Sequence, residues 1–352
     1  MASRVCSVDP GTMFFQVAEN DSNGKLNIKE IRNAFVELEA SEDIEQVLAQ
    51  NDWQYVSDEK HYYIMGEDSM KVARMFPGKV ELRRPMQGGV LNKGEDKKML
   101  VMAKMIESSI GKAPDDQSLV CICVSSDPVD GAQDNLFHKV RLEGMFKRLG
   151  WNVKVIEEGH AVILAEKPIM IEADGSKTPL SGIGISFGAG KVNCVLAYKA
   201  LPVLGMSAAR SGDWIDKKVS EHTDKPISQV TNIKETKLDF NNIDYDDDVI
   251  FALDAYYTNM IEYVFKNFAN KFAKVKSEFE APLDIVIAGG TSMPKGFREK
   301  VESVVKNMDL PFKIKDVIQS KDPRNSVVKG LLTQAIISQK KLKNKKIDEM
   351  LA

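Results

Sequence analysis

Three glycine-bearing turns, each at the end of an apolar run, carry the first signs of chemistry: Asp9-Pro10-Gly11-Thr12, Gly188-Ala189-Gly190 and Gly289-Gly290-Thr291. A turn without Cβ atoms lets backbone N–H groups converge on one centre and approach an anion closely. Two such turns facing each other would clamp a polyphosphate. A carboxylate at a tip, Asp9, would hold hydrated Mg²⁺ against the phosphates. Any one turn alone reads equally well as an ordinary hairpin; three in this order are much harder to explain that way. The adjacent carboxylates Glu157 and Glu158 could position water in line with a terminal phosphate, or form a plain solvated turn.

Other chemistries fit poorly. A Walker A reading fails, because Gly184 to Gly190 has one residue too many between glycines and Val192 stands where Ser or Thr is required. No G-x-G-x-x-G opens a helix after the first strand, which excludes a Rossmann reading. His61, His138, His160 and His222 have no ligand spacing, so zinc is not expected. No Ser-His-Asp order or G-x-S-x-G elbow occurs. Four cysteines among 352 residues are too few for a disulfide framework and read as reduced core thiols. A net charge of −3 argues against direct nucleic-acid binding. No apolar run reaches the length of a membrane span, and no signal peptide is read at the N-terminus. Lys340, Lys341, Lys343, Lys345 and Lys346 read as a solvated helix end, with contact to an acidic membrane or partner left open.

The elements that must hold these turns are short buried strands. Val5–Val8 and Met13–Val17 flank the first turn, and Asn23-Gly24 signals a hairpin before Lys25–Ile31. Ile183–Phe187 and Val192–Tyr198 repeat that strand–turn–strand pattern, a weak internal repeat that suggests a duplicated domain. Leu119–Val124 and Leu283–Ala288 are continuous apolar runs, as in strands buried on both faces. Helices are predicted from Met99 to Ile110, from about Gln133 to Leu149, over 249–276, from about Lys295, and from about Asn325 to Ser338. Asp244, Asp246, Asp247 and Asp248 precede the longest of them, as capping and the helix dipole favour.

With these residues in order, the sequence resembles the superfamily of actins, heat-shock chaperones and sugar kinases, and within it the bacterial actins of the MreB, MamK and ParM type. Val8-Asp9-Pro10-Gly11-Thr12 matches the first phosphate motif, and Ser186-Phe187-Gly188-Ala189-Gly190 occupies the second. Ile287 to Gly296 matches the adenosine motif. Ile156-Glu157-Glu158 and Ser326–Gly330 match the two connecting segments. Met65–Asp68 with Arg84–Val90 looks like a segment of MreB, Ser211–Asp216 like the post-sheet motif, and Ile233-Lys234-Glu235 like the actin stretch that contacts the nucleoside.

The resemblance implies an α/β protein of two related actin-like, ribonuclease H-like domains with an interdomain nucleotide cleft. Domain I would comprise 1–160 plus 318–352 with an insert at about 28–84, and domain II 161–317 with an insert at about 216–281. The implied function is a cytoplasmic, cytoskeletal ATPase that polymerises head to tail when nucleotide is bound. Its implied cofactors are ATP (or GTP) and Mg²⁺. Asp9 would hold the metal through water. Gly11, Thr12, Ser186, Gly188, Ala189 and Gly190 would cradle the phosphates. Asp213, Lys234, Glu235, Gly289, Gly290 and Thr291 would complete the nucleotide site. Glu158, or its neighbour Glu157, would orient the attacking water. Two alternatives share the fold: a non-polymerising adaptor that recruits a membrane or peptide partner, and a small-molecule kinase. The sequence departs from the family at Ser186, where an Asp is usual, at Pro10, which removes a donor, and at Gly159, which replaces a frequent proline.

Overall fold

The computed structural model describes residues 3–76, 78–91, 96–130, 135–166, 169–171, 175–275 and 281–351. The chain forms two compact units. One comprises Met1–Ile122, Leu136–Val155 and Ala335–Ala352; the other comprises Cys123–Asn135 and Ile156–Gln334.

The first unit opens with an antiparallel meander of β1 (Val5–Pro10), β2 (Phe14–Asn20) and β3 (Leu26–Arg32). Because β3 pairs with β2 along its whole length, the insertion expected from about residue 28 starts only after Arg32. That insertion contains β4 (Phe35–Glu39), α1 (Glu42–Gln50), β5 (Tyr55–Ser57), β6 (His61–Met65) and α2 (Glu67–Met75), packed around Val36, Leu48, Ile64 and Val72. A hairpin follows, β7 (Met86–Gln87) and β8 (Val90–Leu91). Gly88 and Gly89 between them both have positive φ, as a type I′ turn requires. Then come α3 (Asp96–Ile110), β9 (Leu119–Val124), α4 (Asn135–Arg148) and β10 (Asn152–Glu157). The expected start of α4 near Gln133 lies outside the described residues.

The main sheet of this unit runs β10-β9-β1-β2-β3, with β9 parallel to β1. Alternation along β1 sends Cys6 and Val8 into one core with Met102, Met105 and Ile106 of α3 and Leu142 and Phe146 of α4.

The second unit begins with α5 (Glu158–Glu166), the small hairpin β11 (Ile169–Ile171) and β12 (Lys177–Pro179), and a second meander of β13 (Gly182–Phe187), β14 (Val192–Tyr198) and β15 (Leu201–Ala208). Three helices follow: α6 (Gly212–Thr223), α7 (Ile227–Thr236) and α8 (Asp248–Phe272). The unit continues through β16 (Leu283–Ala288), α9 (Phe297–Lys306), β17 (Ile314–Gln319) and the start of α10 (Ser326–Leu351). Asp247 caps α8 as expected, its carboxylate accepting from the N–H groups of Val249 and Ile250. Segment Cys123–Asn135 belongs here because its backbone pairs with β15, Val129 donating to Ser207 and Ser207 to Asp127. The lysine-rich run does not end the last helix near Ser338, as the sequence suggests; α10 continues to Leu351 with Lys340, Lys341 and Lys343 exposed.

This sheet runs β17-β16-β13-β14-β15, with β16 parallel to both β13 and β17. Its strand order is that of the first unit, so the repeat glimpsed in two turns is a repeated topology. The two faces of β13 differ in kind. Ile183, Ile185 and Phe187 pack on the side of α6, α8 and α9. Gly182, Gly184 and Ser186 alternate to the side of α5, where a Cβ on Gly184 would lie 2.2 Å from the Gly159 carbonyl oxygen. The glycines therefore let α5 approach the sheet at backbone distance. Among the described residues, no helix is long and apolar enough to cross a membrane. All four cysteines are buried and form no disulfide, and burial pushes the thiols of Cys6 and Cys121 up to about 12.

Candidate functional site

In the first unit the turn after β1 is shaped by its neighbours. A Cβ on Gly11 would stand 2.7 Å from the Phe14 carbonyl oxygen, so the turn admits only glycine at this closeness. Asn33 steadies it, donating from Nδ2 to the Gly11 carbonyl at 2.7 Å. Thr12 Oγ1 accepts from the Gly89 N–H at 3.2 Å, which brings the Arg84–Val90 segment onto the turn. The N–H groups of Gly11 and Thr12 donate to no described acceptor. Asn33 Oδ1 is buried and receives no hydrogen bond. Asp9 lies one residue before the end of β1, opposite Gln16. A hydrated hard cation needs such oxygen acceptors beside an anion-holding turn, so these residues fit Mg²⁺. Among the described residues no group of three or more His, Cys, Asp or Glu could ligate a metal directly.

The second unit gathers the other predicted residues. The Gly188 carbonyl accepts from the Gly212 N–H at 3.1 Å and from Thr291 Oγ1 at 2.9 Å, and the Ala189 carbonyl accepts from the Asp213 N–H at 2.8 Å. Three separate stretches are thus tied at one point: the turn after β13, the start of α6 and the turn after β16. Space there is tight. A Cβ on Gly212 would meet Thr291 Oγ1 at 2.5 Å, and one on Gly289, at φ +97°, would meet the Phe187 carbonyl oxygen at 2.4 Å. Gly290 is exposed, with open space where a side chain would be. The Ala189 and Gly190 N–H groups donate to no described acceptor, which leaves two donors for an anion.

Glu158 is the first residue of α5, where a carboxylate suits the helix dipole. Its Oε1 accepts from Ser186 Oγ at 2.6 Å and its Oε2 from Asn193 Nδ2 at 2.8 Å. Ser186 and Asn193 are direct partners across the β13–β14 hairpin, so one cross-strand pair fixes both ends of the carboxylate. Glu157 goes elsewhere: its Oε1 would lie 2.2 Å from a Cβ on Gly205 of β15. Gly159 packs so closely on β13 and β14 that a Cβ would meet both the Gly184 carbonyl oxygen and the Val195 nitrogen at 2.8 Å. A proline would not fit there.

Two predicted nucleoside contacts have other surroundings. Lys234 is buried, with its ammonium 2.7 Å from Asp216 and 3.2 Å from the Gly212 carbonyl; it anchors the start of α6. Glu235 is exposed. His160 is a buried structural histidine, its Nε2 2.8 Å from the Ala200 carbonyl oxygen. Sequence reasoning missed Asn193 and Lys191. The hairpin register pairs Asn193 with Ser186, and Lys191 stands just before that strand. Lys191 is 3% exposed, and burial pushes its ammonium down to about 8, against the attraction of Glu158 and Asp130.

A protein-family model described as Volactin matches residues 5–335. No curated protein is significantly similar to the chain. Among solved structures, one described as a MamK double helical filament has a TM-score of 0.65 at 17% identity, covering 94% of this chain and 98% of that one. MreB5 of Spiroplasma citri bound to AMPPNP has a TM-score of 0.68 at 13% identity, over 98% of this chain and 99% of the other. Its ADP-bound form gives 0.66 at 13% identity, over 97% and 99%. The fold is the actin-like fold of the MreB and MamK type.

Proposed function

The chain belongs to the Volactin family, and from that premise we propose that it is an actin-like ATPase whose subunits polymerise head to tail in a nucleotide-dependent manner. The observation that carries this reading is the tie at Gly188, where two phosphate-type turn carbonyls take the start of α6 and Thr291 while the adjoining N–H groups stay unused. MreB5 of Spiroplasma citri binds AMPPNP and ADP on the same fold, and MamK forms a double helical filament.

In this reading Gly11, Thr12, Ser186, Gly188, Ala189 and Gly190 bind the phosphates, and Asp213, Lys234, Glu235, Gly289, Gly290 and Thr291 serve the nucleoside. Lys234 does so indirectly, by holding the α6 start. Open Gly290 offers a floor for a flat base. Asp9 would hold Mg²⁺ through water, and the ion would supply positive charge to offset that of the phosphates. Glu158, fixed by Ser186 and Asn193, orients a water toward the terminal phosphorus. The water oxygen bonds to phosphorus, the bond to the bridging oxygen breaks, and ADP leaves with that electron pair. The water proton passes to the carboxylate or the departing phosphate. Nucleotide state then biases a two-state equilibrium between assembling and non-assembling subunits. The assembly contact is heterologous and open, which generates a filament, and a cytoplasmic cytoskeleton is its natural setting.

Light scattering and pelleting with Mg-ATP, Mg-ADP and no nucleotide, with electron microscopy of any pellet, test this. ATP-dependent filaments are expected. ATP binding without assembly at any salt or protein concentration would favour the adaptor, a reading that the neutral Ser186 and the exposed Lys340, Lys341 and Lys343 also suit.

A further inference from the structure

Lys191 ends the turn between β13 and β14, and its backbone carbonyl takes the Gly188 N–H at 3.0 Å. Lys191 is 3% exposed, among the most buried charged residues described. It has three N–H donors and spends one, on Asn135 Oδ1 at 3.2 Å. It forms no ion pair with any described residue. Glu158 and Asp130 attract it without pairing with it, so its burial is only partly compensated and a further anion would favour the charged form. Lys191 stands directly before β14, and Glu158, held by the Ser186–Asn193 pair, is the foremost carboxylate attracting its ammonium. A Cβ on Gly188 would lie 3.8 Å from Glu158 Oε1, which puts the carboxylate directly under the turn. The unused N–H groups of Ala189 and Gly190 belong to that turn. Ser186 adds no negative charge that would satisfy the lysine internally.

We propose that Lys191 donates to the terminal phosphate of a bound nucleoside triphosphate and is the residue by which this protein distinguishes triphosphate from diphosphate. This rests on the nucleotide reading above. The diphosphate lacks the group that the ammonium would meet, so binding of ADP would leave the buried charge as it is in the empty protein. Glu158, beside the same turn, would face the water, and Lys191 the phosphoryl oxygens whose charge grows during transfer.

The test is isothermal titration of ATP and ADP into the full chain and into Lys191→Met and Lys191→Arg, with melting curves of each protein alone. Lys191→Met is expected to weaken ATP at least tenfold, leave ADP within about twofold, and raise the melting temperature of the nucleotide-free protein, because a buried charge without an ion pair is gone. Lys191→Arg is expected to recover most of the ATP affinity. If both nucleotides weaken equally in Lys191→Met, or neither does, the assignment fails while the nucleotide reading stands. A wild type that binds neither nucleotide ends both. Should Lys191→Met not fold, Lys191→Gln and the arginine variant make the same comparison.

Discussion

Ser186 Oγ donates a 2.6 Å hydrogen bond to Glu158 Oε1, and this single contact joins the second glycine turn to the carboxylate at the head of α5. An Asp at this position, usual in the resembling family, would set two carboxylates against each other unless a cation lay between them. The serine makes the arrangement self-sufficient. Hydrogen bonds to charged groups contribute about 1.5–3 kcal/mol. Ser186→Ala should therefore lower the rate of phosphate release by about ten- to a hundredfold while nucleotide still binds. Ser186→Asp should lower the melting temperature in EDTA and recover it with Mg²⁺. Equal melting in both conditions would show that the two carboxylates do not meet. A gain in phosphate release with Mg²⁺ would show that serine limits the native rate.

Glu158 and Glu157 are neighbours with different surroundings, and the difference can be measured. Glu158→Gln keeps the size of the side chain and removes its basicity. It should reduce hydrolysis by about 10²–10⁴-fold with nucleotide affinity nearly unchanged. Filaments of this variant should outlast those of the wild type in a dilution assay. Glu157→Gln, at Gly205, should hydrolyse ATP at close to the native rate.

Backbone contact around α5 sets the next expectation. A Cβ on Gly330 of α10 would lie 1.8 Å from the Ala161 carbonyl oxygen, and one on Gly184 would lie 2.2 Å from that of Gly159. Neither partner is a flexible side chain. Gly330→Ala and Gly184→Ala should each destabilise the fold by about 1–3 kcal/mol or more, read as a lower urea midpoint. Gly144→Ala, where the added carbon meets nothing, is the control.

The buried Lys191 gives a pH signature. Its ammonium is pushed down to about 8 by burial, with Glu158 on α5 and Asp130 in the segment before α4 acting the other way. The unfolded chain keeps the ordinary lysine value of 10.5, so between pH 8 and 10.5 it binds the proton that the folded state has lost. The contribution of this group to stability therefore rises with pH across that window. Bound phosphate favours the charged form, so the shift in melting temperature caused by ATP should shrink over the same range. Lys191→Met should remove both trends.

The glycine turns, the flanking strands and their order along the chain were legible without a structure, because each depends on residues within a few positions. Glycine where a Cβ would collide, apolar runs at strand spacing and the Asp247 cap are local facts. Contacts between strands and helices were not local. The division between Glu157 and Glu158 depends on how the chain turns from β10 into α5, one residue facing Gly205 and the next facing Ser186. The ion pair of Lys234 with Asp216, eighteen positions earlier, is likewise invisible in the sequence. Lys191 drew no role from the sequence, because the Walker A reading of its stretch fails on the glycine spacing and on Val192. The turn before β14 and the placement of α5 make it a buried charge beside a carboxylate. The sequence by itself determined which segments could hold an anion and in what order they come. Only the tertiary structure decided which side chains share a face with them, because desolvation and hydrogen bonding act across space between residues that the chain keeps far apart.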